Sequence, residues 1–160
     1  MIKNKIKNIS KLKAALGPLK KRGKRIVFTN GCFDILHKGH IKLLEKAKSL
    51  GDILVVAINS DGSIRKIKGR RRPLNPARDR AVVLSAIHFV DFITTFDEPD
   101  PARIIKELEP DVLVKGGDWG RGEIIGAEYV KSKGGKVCSV PLAKGYSTSR
   151  IINLIAKRFR

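Results

Sequence analysis

Short apolar runs alternate with segments of helical periodicity from residue 26 onward. Five of these runs are rich in β-branched residues and have the length of buried strands: 26–29, 53–58, 91–96, 112–114 and 137–140. The second run is apolar throughout, as a strand requires when both faces of its sheet are covered. The pattern therefore predicts five strands that are separated by helices.

Helical spacing and capping residues define the segments between these strands. In residues 39–50 an apolar face repeats at helical spacing, and Gly51 follows as a C-terminal cap. Asn75-Pro76 and Asp100-Pro101 each combine an N-capping side chain with proline at the first helical position. The predicted helices run over 39–50, from Asn75 to about Phe89, from Asp100 to about Glu109, over 123–133, and from a cap at Ser147 or Thr148.

A basic segment precedes this alternation. Ser10 is positioned to cap an amphipathic helix from Lys11 to about Arg22, which is interrupted at Gly17-Pro18. A chain of 160 residues has the length of one ordinary domain. We predict that residues 1–24 form a basic helical appendage and that residues 25–160 form the domain.

The order of elements predicts the fold class. Strand, helix and strand follow one another repeatedly, and right-handed crossovers place such strands in parallel. We predict an α/β fold, a Rossmann-like, doubly wound, five-stranded parallel sheet in a single domain with a short N-terminal helical appendage. In such sheets ligands bind at the carboxyl ends of the strands, near the point where the strand order reverses.

The cysteines and the hydropathy of the chain indicate where in the cell the protein is located. Cys32 and Cys138 are the only cysteines, and their separation is typical of reduced residues and not of a disulfide framework. No apolar run reaches the length of a membrane span, and the first residues lack the apolar stretch of a secretory signal. The sequence predicts a cytoplasmic protein without a membrane partner.

The net charge of +19 is concentrated in three places. Residues 1–25 contain ten Lys or Arg and no acid, residues 65–72 contain six, and residues 157–160 contain three. A nucleic-acid-binding domain usually spreads its positive charge over one face, with aromatic residues interleaved. We interpret the basic ends as solvated flanks and do not expect a nucleic-acid partner. Weak attraction to RNA or to anionic surfaces is the alternative.

The segment after the first predicted strand carries the strongest candidate chemistry. It ends in His37-Lys38-Gly39-His40, where the apolar strand pattern passes into a helical one. A helix N-terminus offers free N–H groups and a partial positive charge, which suit a phosphate group. Two imidazoles there can hold a nucleoside triphosphate while it is cleaved. Of the two cysteines only Cys32 lies near them in sequence, so a structural zinc site is not expected.

The loops after the other strands meet at the same edge of the predicted sheet. Each contains groups that an anionic nucleotide needs, namely glycines for close backbone approach, fixed cations, or hydroxyl groups at a helix start. These loops are 59–61 with 65–72 after the second strand, 115–120 after the fourth, and 144–150 after the fifth.

Taken together, these motifs resemble the nucleotidyltransferase superfamily that is marked by His-x-Gly-His and by a Ser-Thr-Ser type motif near the C-terminus. Within it, the chain is similar to the bacterial D-glycero-β-D-manno-heptose 1-phosphate adenylyltransferases, which make ADP-heptose for lipopolysaccharide. The resemblance runs from about Gly23 to Ile155. The matching segments are 29–37, 59–61, 75–76 with 79–80, 114–118, 126–128 and 147–148.

The resemblance implies in-line attack of a sugar 1-phosphate oxygen on the α-phosphorus of ATP. His37, His40 and Lys68 are the implied catalytic residues, with the imidazoles donating hydrogen bonds and Lys68 closing over the phosphates. Arg65 and Lys66, in the same predicted loop, are the alternatives to Lys68. The implied nucleotide-binding residues are Thr29, Asn30, Gly31, Cys32, Phe33, Gly39, Lys115, Gly116, Gly117, Asp118, Ser147, Thr148 and Ser149.

Other roles stay open at this point. Asp34 supports the histidine loop or a metal, Asp118 contacts the sugar or helps to orient magnesium, and Trp119 stacks on a ligand or is an ordinary loop aromatic. Asp79 and Arg80 are interpreted first as a pair on a helix face and second as contributors to the site. No protein ligand is assigned to Mg²⁺, which the triphosphate would carry.

The resemblance also implies partners. ATP and a sugar 1-phosphate are the expected substrates, and a homodimer is expected because dimers are common in the superfamily. The family often fuses this domain to a sugar kinase. That kinase is missing from this sequence, which implies a stand-alone adenylyltransferase served by a separate kinase.

Three alternatives remain. The related cytidylyltransferases carry one arginine where His88 stands and another just before the last helix, and this chain lacks both. An FAD synthetase shares the sheet and the His-x-Gly-His loop. A nucleic-acid-binding module on a degenerate transferase scaffold would account for the basic ends.

Overall fold

Five parallel strands form one sheet in this computed structural model, which describes residues 2–117, 124–141 and 145–159. The strands are β1 (Ile26–Gly31), β2 (Ile53–Asn59), β3 (Phe92–Phe96), β4 (Val112–Gly116) and β5 (Lys136–Val140). The helices within those residues are α1 (Ile2–Lys5), α2 (Ile9–Lys21), α3 (Lys38–Lys48), α4 (Asp61–Lys68), α5 (Ala77–Ser85), α6 (Ala102–Leu108), α7 (Ala127–Ser132) and α8 (Thr148–Arg158). None of these helices is long and apolar enough to cross a membrane.

The strand order is β3-β2-β1-β4-β5, and every pairing is parallel. The chain builds outward from β1 to β3 and then returns to add β4 on the other side of β1. The strand order therefore reverses between β1 and β4. This arrangement confirms the predicted doubly wound sheet and places its ligand-binding edge at the carboxyl ends of these two strands.

Helices cover both faces of the sheet, which explains the continuously apolar strands. On one face Val27 packs with Leu44 of α3 and Leu84 of α5. On the other face Phe28 packs with Leu12 of α2 and with residues of α6 and α7. Because successive side chains of a strand point to opposite faces, each central strand contributes to both parts of the core.

The N-terminal helix differs from its prediction. It begins after Asn8, whose side chain accepts a hydrogen bond from the Lys11 amide at 2.9 Å, and it continues without a break through Gly17 and Pro18. Leu12 and Leu16 are fully or almost fully buried in the core. Burial of this apolar stripe outweighs the loss of one backbone donor at the proline. The helix is thus packed against the sheet, and a domain boundary between residues 24 and 25 stays a prediction.

The later helices are mostly shorter than predicted. The helix expected from Asn75 to Phe89 begins at Ala77 with Pro76 as its N-cap residue and ends at Ser85. The α7 helix covers Ala127–Ser132, and the predicted start at Glu123 lies outside the described residues. Ser147 caps the last helix as predicted, its hydroxyl accepting a hydrogen bond from the Arg150 amide at 3.1 Å.

The α4 helix was not predicted at all. Ser60 caps it by accepting a hydrogen bond from the Ser63 amide, and only Ser63 and Ile64 are buried along it. The segment that contains Arg65, Lys66 and Lys68, expected to be a loop, is therefore helical, and Lys68 is its last residue.

Candidate active site

A cavity of about 460 Å³ opens at the carboxyl edge of the sheet, above the ends of β1, β2 and β4. Helices α3 and α4 and the loop before α6 complete its walls. Its lining residues are Asn30, Gly31, Cys32, Phe33, His40, Leu43, Asn59, Ile67, Lys68, Pro99, Asp100, Pro101, Lys115, Gly116 and Ile125. The cavity lies where the sheet topology predicts a ligand.

The two histidines of the motif form a stacked pair at the start of α3. His37 is the N-cap residue of α3, and its side chain makes no capping hydrogen bond. The ring of His40 lies 3.8 Å from the ring of His37, centroid to centroid, at an interplanar angle of 20°. His40 lines the cavity and also contacts the ring of Phe33 at 5.1 Å.

Burial favours the uncharged form of both imidazoles. Burial, with smaller contributions from His37 and Lys68, lowers the pKa of His40 to about 4. Burial also lowers the pKa of His37 below its ordinary value of 6.5. The Nδ1 atoms of both rings are buried and have no hydrogen-bond partner within the described structure. Since buried polar atoms are nearly always paired, these two atoms are candidates for contact with a ligand.

Close packing at the end of β1 explains the glycine before the loop. Phe33 adopts a left-handed backbone conformation with φ of 46°. A Cβ atom on Gly31 would lie only 3.0 Å from the Phe33 ring. Glycine at this position lets the aromatic ring fold back over the strand end and support His40.

Two lysines reach the cavity from different elements. Lys68 enters from the last turn of α4. Lys115 enters from β4, its Nζ donating a hydrogen bond to Asn30 Oδ1 at 3.2 Å, and burial lowers its pKa. Arg65 and Lys66 lie on α4 outside the cavity lining. Of the three alternatives for the phosphate-closing cation, only Lys68 lines the cavity.

Asp34 anchors the polypeptide that leads into α5. Its buried carboxylate accepts hydrogen bonds from the backbone amides of Leu74 and Asn75 at 2.9 and 2.8 Å and from Arg72 Nε at 2.7 Å. Burial opposes ionisation, but the two backbone donors and the Arg72 guanidinium outweigh it and hold the pKa of Asp34 below its usual value. The Asn75 side chain donates to the Asp34 carbonyl at 2.7 Å, which is why it does not cap α5.

The C-terminal hydroxyl motif lies beside the histidine loop. Thr148 Oγ1 donates to the Ile35 carbonyl at 3.4 Å, and a Cβ atom on Gly39 would contact Tyr146. Ser147 and Ser149 are exposed, and none of residues 147–149 is among the cavity lining. The motif thus borders the site from the outside in this structure.

The remaining predicted site residues either lie outside the cavity lining or lie outside the described residues. Gly117 follows β4 and accepts a hydrogen bond from the Ser139 hydroxyl, and Thr29 is fully buried below the cavity. Thr29, His37, Gly39 and Gly117 are outside the cavity lining. Asp118 and Trp119 lie outside the described residues.

Asn59 and Asp100 line the cavity although neither was predicted as a site residue, and a contribution of Arg80 to the site was only the second interpretation of that residue. Asn59 ends β2, lines the cavity and donates to Ser63 Oγ at 3.0 Å. Arg80 is fully buried, whereas Asp79, with which it was predicted to form a pair on a helix face, is largely exposed and lies near Arg78. Asn59 and Arg80 both stand in segments that match the family, 59–61 and 79–80, so the resemblance was an available signal for each.

This chain was compared with models of known protein families and with curated proteins. The cytidylyltransferase-like family model matches residues 28–153. The chain is 52% identical over 151 residues to the bifunctional protein HldE of Geotalea uraniireducens, covering 94% of this chain and 31% of that protein. It is 47% identical over 156 residues to the bifunctional protein HldE of Citrifermentans bemidjiense, covering 98% and 32%. The chain spans about a third of the length of these curated relatives.

Solved structures agree with the sheet topology. A lipopolysaccharide core biosynthesis protein from Thermoplasma volcanium superposes with a TM-score of 0.62 at 31% identity, covering 78% of this chain and 100% of that one. The pantoate-beta-alanine ligase from Francisella tularensis gives a TM-score of 0.60 at 17% identity, covering 96% and 79%. The latter similarity shows the fold alone.

Proposed function

This chain belongs to the cytidylyltransferase-like family and is a nucleotidyltransferase, and from that premise we propose that it transfers AMP from ATP to D-glycero-β-D-manno-heptose 1-phosphate. The products are ADP-heptose and pyrophosphate. One observation carries the proposal, namely the stacked His37 and His40 rings whose Nδ1 atoms lack partners in the described structure, beside a cavity that holds Lys68 and Lys115. The identity of about one half to the HldE proteins supports the choice of substrate.

The proposed reaction is a single in-line displacement. A phosphate oxygen of the sugar 1-phosphate forms a bond to the α-phosphorus of ATP, and the bond from that phosphorus to the bridging oxygen breaks to release pyrophosphate. Such chemistry depends mainly on positioning and on neutralisation of negative charge. A neutral imidazole has one N–H donor, so His37 and His40 each donate one hydrogen bond to oxygens whose charge grows as the bridge breaks.

The two lysines complete the neutralisation. Lys68, at the end of a helix and bordered by Gly69, is the cation that closes over the β- and γ-phosphates. Lys115, fixed by Asn30, holds the nucleotide from the β4 side. Cations placed in a partly desolvated cavity stabilise a polyphosphate more strongly than the same cations in water.

The donor set of the cavity fits a metal that arrives with the nucleotide. Among the described residues, its lining contains one carboxylate, Asp100, together with amides and lysines, and no group of three or more potential His, Cys, Asp or Glu ligands occurs in that part of the chain. Magnesium commonly uses one or two carboxylates together with substrate phosphates. Mg²⁺ bound to the triphosphate would neutralise charge on the departing pyrophosphate. The Asp100 carboxylate is the lining group that would bind it.

The substrate is tested by measuring pyrophosphate release with Mg²⁺. ATP and CTP are each combined with heptose 1-phosphate, glycerol 3-phosphate or flavin mononucleotide. Release with ATP and heptose 1-phosphate alone is the expected result. Release with CTP and glycerol 3-phosphate, or with ATP and flavin mononucleotide, would contradict the proposed substrate while leaving the family assignment intact.

The histidine roles are tested by substitution. His37→Ala and His40→Ala each remove one donor to the transition state, and we expect kcat to fall about a hundredfold, equivalent to about 3 kcal/mol. His88→Ala is the matched control, because His88 is exposed and packs on Phe89 outside the cavity lining. Turnover of the His37→Ala/His40→Ala double variant near the level of the parent protein would refute the mechanism.

We further propose a cytoplasmic homodimer that receives its sugar phosphate from a separate kinase. Adjacent apolar side chains on α5, Val82 and Val83, are about half exposed, as is Leu74 just before that helix. Exposed apolar side chains of this kind favour self-association. Sedimentation velocity is expected to give twice the chain mass, and a monomer at micromolar concentration would contradict this proposal.

A further inference from the structure

Arg80 joins three separate segments through one buried guanidinium. Its side chain is fully buried on the inner face of α5. Nη1 donates to the Cys32 carbonyl at 2.6 Å, and Nε donates to the Asn75 carbonyl at 2.9 Å. Nη2 donates to the Asn59 carbonyl at 2.9 Å and to Asp61 Oδ1 at 2.7 Å. All three nitrogens of the guanidinium are therefore engaged.

The segments that Arg80 joins are those that carry the site. Cys32 belongs to the loop that leads from β1 to the histidines, and Asn59 ends β2; both line the cavity. Asp61 is the first residue of α4, the helix that ends at Lys68. The Asp61 carboxylate also accepts a hydrogen bond from the Ala77 amide at 2.9 Å, so it fixes the start of α4 against the start of α5.

We propose that Arg80 is a positioning residue that holds Lys68 at its working distance from the His37 and His40 pair. It does so by locking the start of α4 and the start of the histidine loop onto the same guanidinium. The proposal rests on the proposed function, in which Lys68 and the two histidines act on one triphosphate. Arg80 itself is buried and is not among the residues that line the cavity.

The geometry requires arginine at this position. A guanidinium presents its donors in a planar fork, whereas a lysine ammonium is a compact charge that cannot reach four acceptors spread over three segments. Arg80→Lys therefore keeps the positive charge and most of the volume while breaking the bridge. Asp61→Asn is a second, milder variant, because it removes only the charged acceptor that belongs to α4.

Turnover supplies the first measurement. With ATP and the acceptor identified by the substrate panel, we expect kcat of Arg80→Lys to fall at least tenfold and that of Asp61→Asn about threefold or more. Arg78→Lys is the matched control, since Arg78 lies on the same helix and is almost fully exposed. Assays are run well below the thermal midpoint of each variant, so that loss of folded protein does not enter.

A double-mutant comparison then separates positioning from simple loss of structure. If Arg80 acts through Lys68, the change Arg80→Lys has little further effect once Lys68→Ala is present, and the double variant has the kcat of Lys68→Ala within about twofold. Multiplicative losses, or an Arg80→Lys variant as active as Arg78→Lys, would overturn the proposal. If Arg80→Lys does not fold, the same comparison is made with Asp61→Asn.

Histidine NMR tests the same link without any turnover. Lys68 contributes to lowering the pKa of His40, so Lys68→Ala is expected to raise that pKa. Arg80→Lys is expected to raise it in the same direction, because Lys68 is displaced. An unchanged His40 titration in Arg80→Lys refutes the positioning role. The two proposals can fail separately. If the parent protein is inactive with every substrate pair but Arg80→Lys still shifts the His40 titration, the proposed function is refuted and the positioning role is supported.

Discussion

His40 combines a hydrogen-bonding task with an environment that keeps its ring neutral. Its imidazole is held between His37 and Phe33, and Lys68 adds a positive charge nearby. A protonated ring there would repel both the lysine and a protonated His37. The residues that surround His40 in the site therefore favour its neutral imidazole. This preference also affects the stability of the whole chain.

The lowered pKa of His40 makes folding depend on pH below neutrality. In the unfolded chain this histidine titrates near 6.5, and in the folded chain at about 4. Between these values the unfolded state binds more protons, so the free energy of unfolding falls as the pH falls. The contribution is fully present above about pH 6.5 and is lost as the pH approaches 4. Because His40 is only partly buried, we expect a loss on the order of 1–2 kcal/mol after solvent screening.

Urea unfolding at pH 7.5 and pH 5 measures this effect. His40→Asn is expected to lose less stability between the two pH values than the parent protein does. His37, whose pKa is also lowered, contributes in the same direction and remains in both proteins. Asp34 does not interfere, since its lowered pKa places its titration below this window. Equal pH dependence of the two proteins would contradict the explanation.

At the scale of elements, α2 stabilises the fold although its charged face suggests a free segment. Leu12→Ala removes a side chain that is fully buried between α2 and the sheet, and we expect a loss of about 2–5 kcal/mol in the free energy of unfolding. Leu154→Ala on α8 is the control, because Leu154 is about half exposed; it is expected to change stability by about 0.5 kcal/mol or less. Equal effects in chemical denaturation would mean that α2 is an appendage after all.

The start of α7 gives a second test. Gly126 has φ of 86°, and a Cβ atom there would lie 2.6 Å from Ile105 Cδ1. Gly145 has nearly the same φ, 84°, and a Cβ atom there would meet no atom of the described residues within 4 Å. Both alanine variants incur about 1–2 kcal/mol of left-handed strain, and Gly126→Ala adds about 1–3 kcal/mol of overpacking. Thermal denaturation should therefore rank Gly126→Ala well below Gly145→Ala, and similar midpoints would contradict the clash.

The strands were predictable because their chemistry is local and repetitive. Runs such as Ile53 to Ile58 identify buried strands directly, and the alternation with helices determined the doubly wound sheet and its binding edge. The α4 helix was not predicted because its sequence is mostly polar and charged and its apolar face is short. Ile64 is the buried apolar residue of that face. Its cap at Ser60 was the available signal, since a serine just before an acidic residue commonly begins a helix.

The site was predicted in part for the same reason. His40, Lys68 and Lys115, which the resemblance implied as site residues, all line the cavity, and their roles in the reaction stay predictions. The roles of Asp34 and Arg80 depend on contacts with partners 38 and 48 residues away, respectively, which a local pattern does not contain. Charged residues on a short helix are exposed far more often than buried, so an amphipathic pattern alone assigns Arg80 to the surface.

At the scale of the whole molecule, one segment supplies both exposed positive charge and buried core residues. Residues 1–25 hold ten cations, yet the same segment contributes Leu12 and Leu16 to the core. Deleting the segment would therefore unfold the protein and would say nothing about its charge. Substituting exposed side chains is the appropriate way to ask whether the basic flank binds a partner.

A triple variant answers this question. Lys11→Gln, Lys13→Gln and Lys21→Gln change exposed positions of α2 and leave its buried face intact. If the flank is only solvated, kcat and KM for ATP remain within about twofold of the parent, and binding of a labelled oligonucleotide at low salt weakens without any effect on turnover. A nucleic-acid-binding module would instead show tight, salt-sensitive oligonucleotide binding in the parent protein that this variant loses.

The bridges made by Arg80 and Asp34 also bear on which parts of the molecule unfold first. They connect residues 48 and 38 positions apart, across the first two strands and α5. Short helices and loops that rest on few partners open before a sheet whose strands are paired along their length. We therefore expect the segments around the cavity to unfold locally before the sheet does. In a denaturant series, turnover should disappear at a concentration where the circular dichroism of the strands is still native.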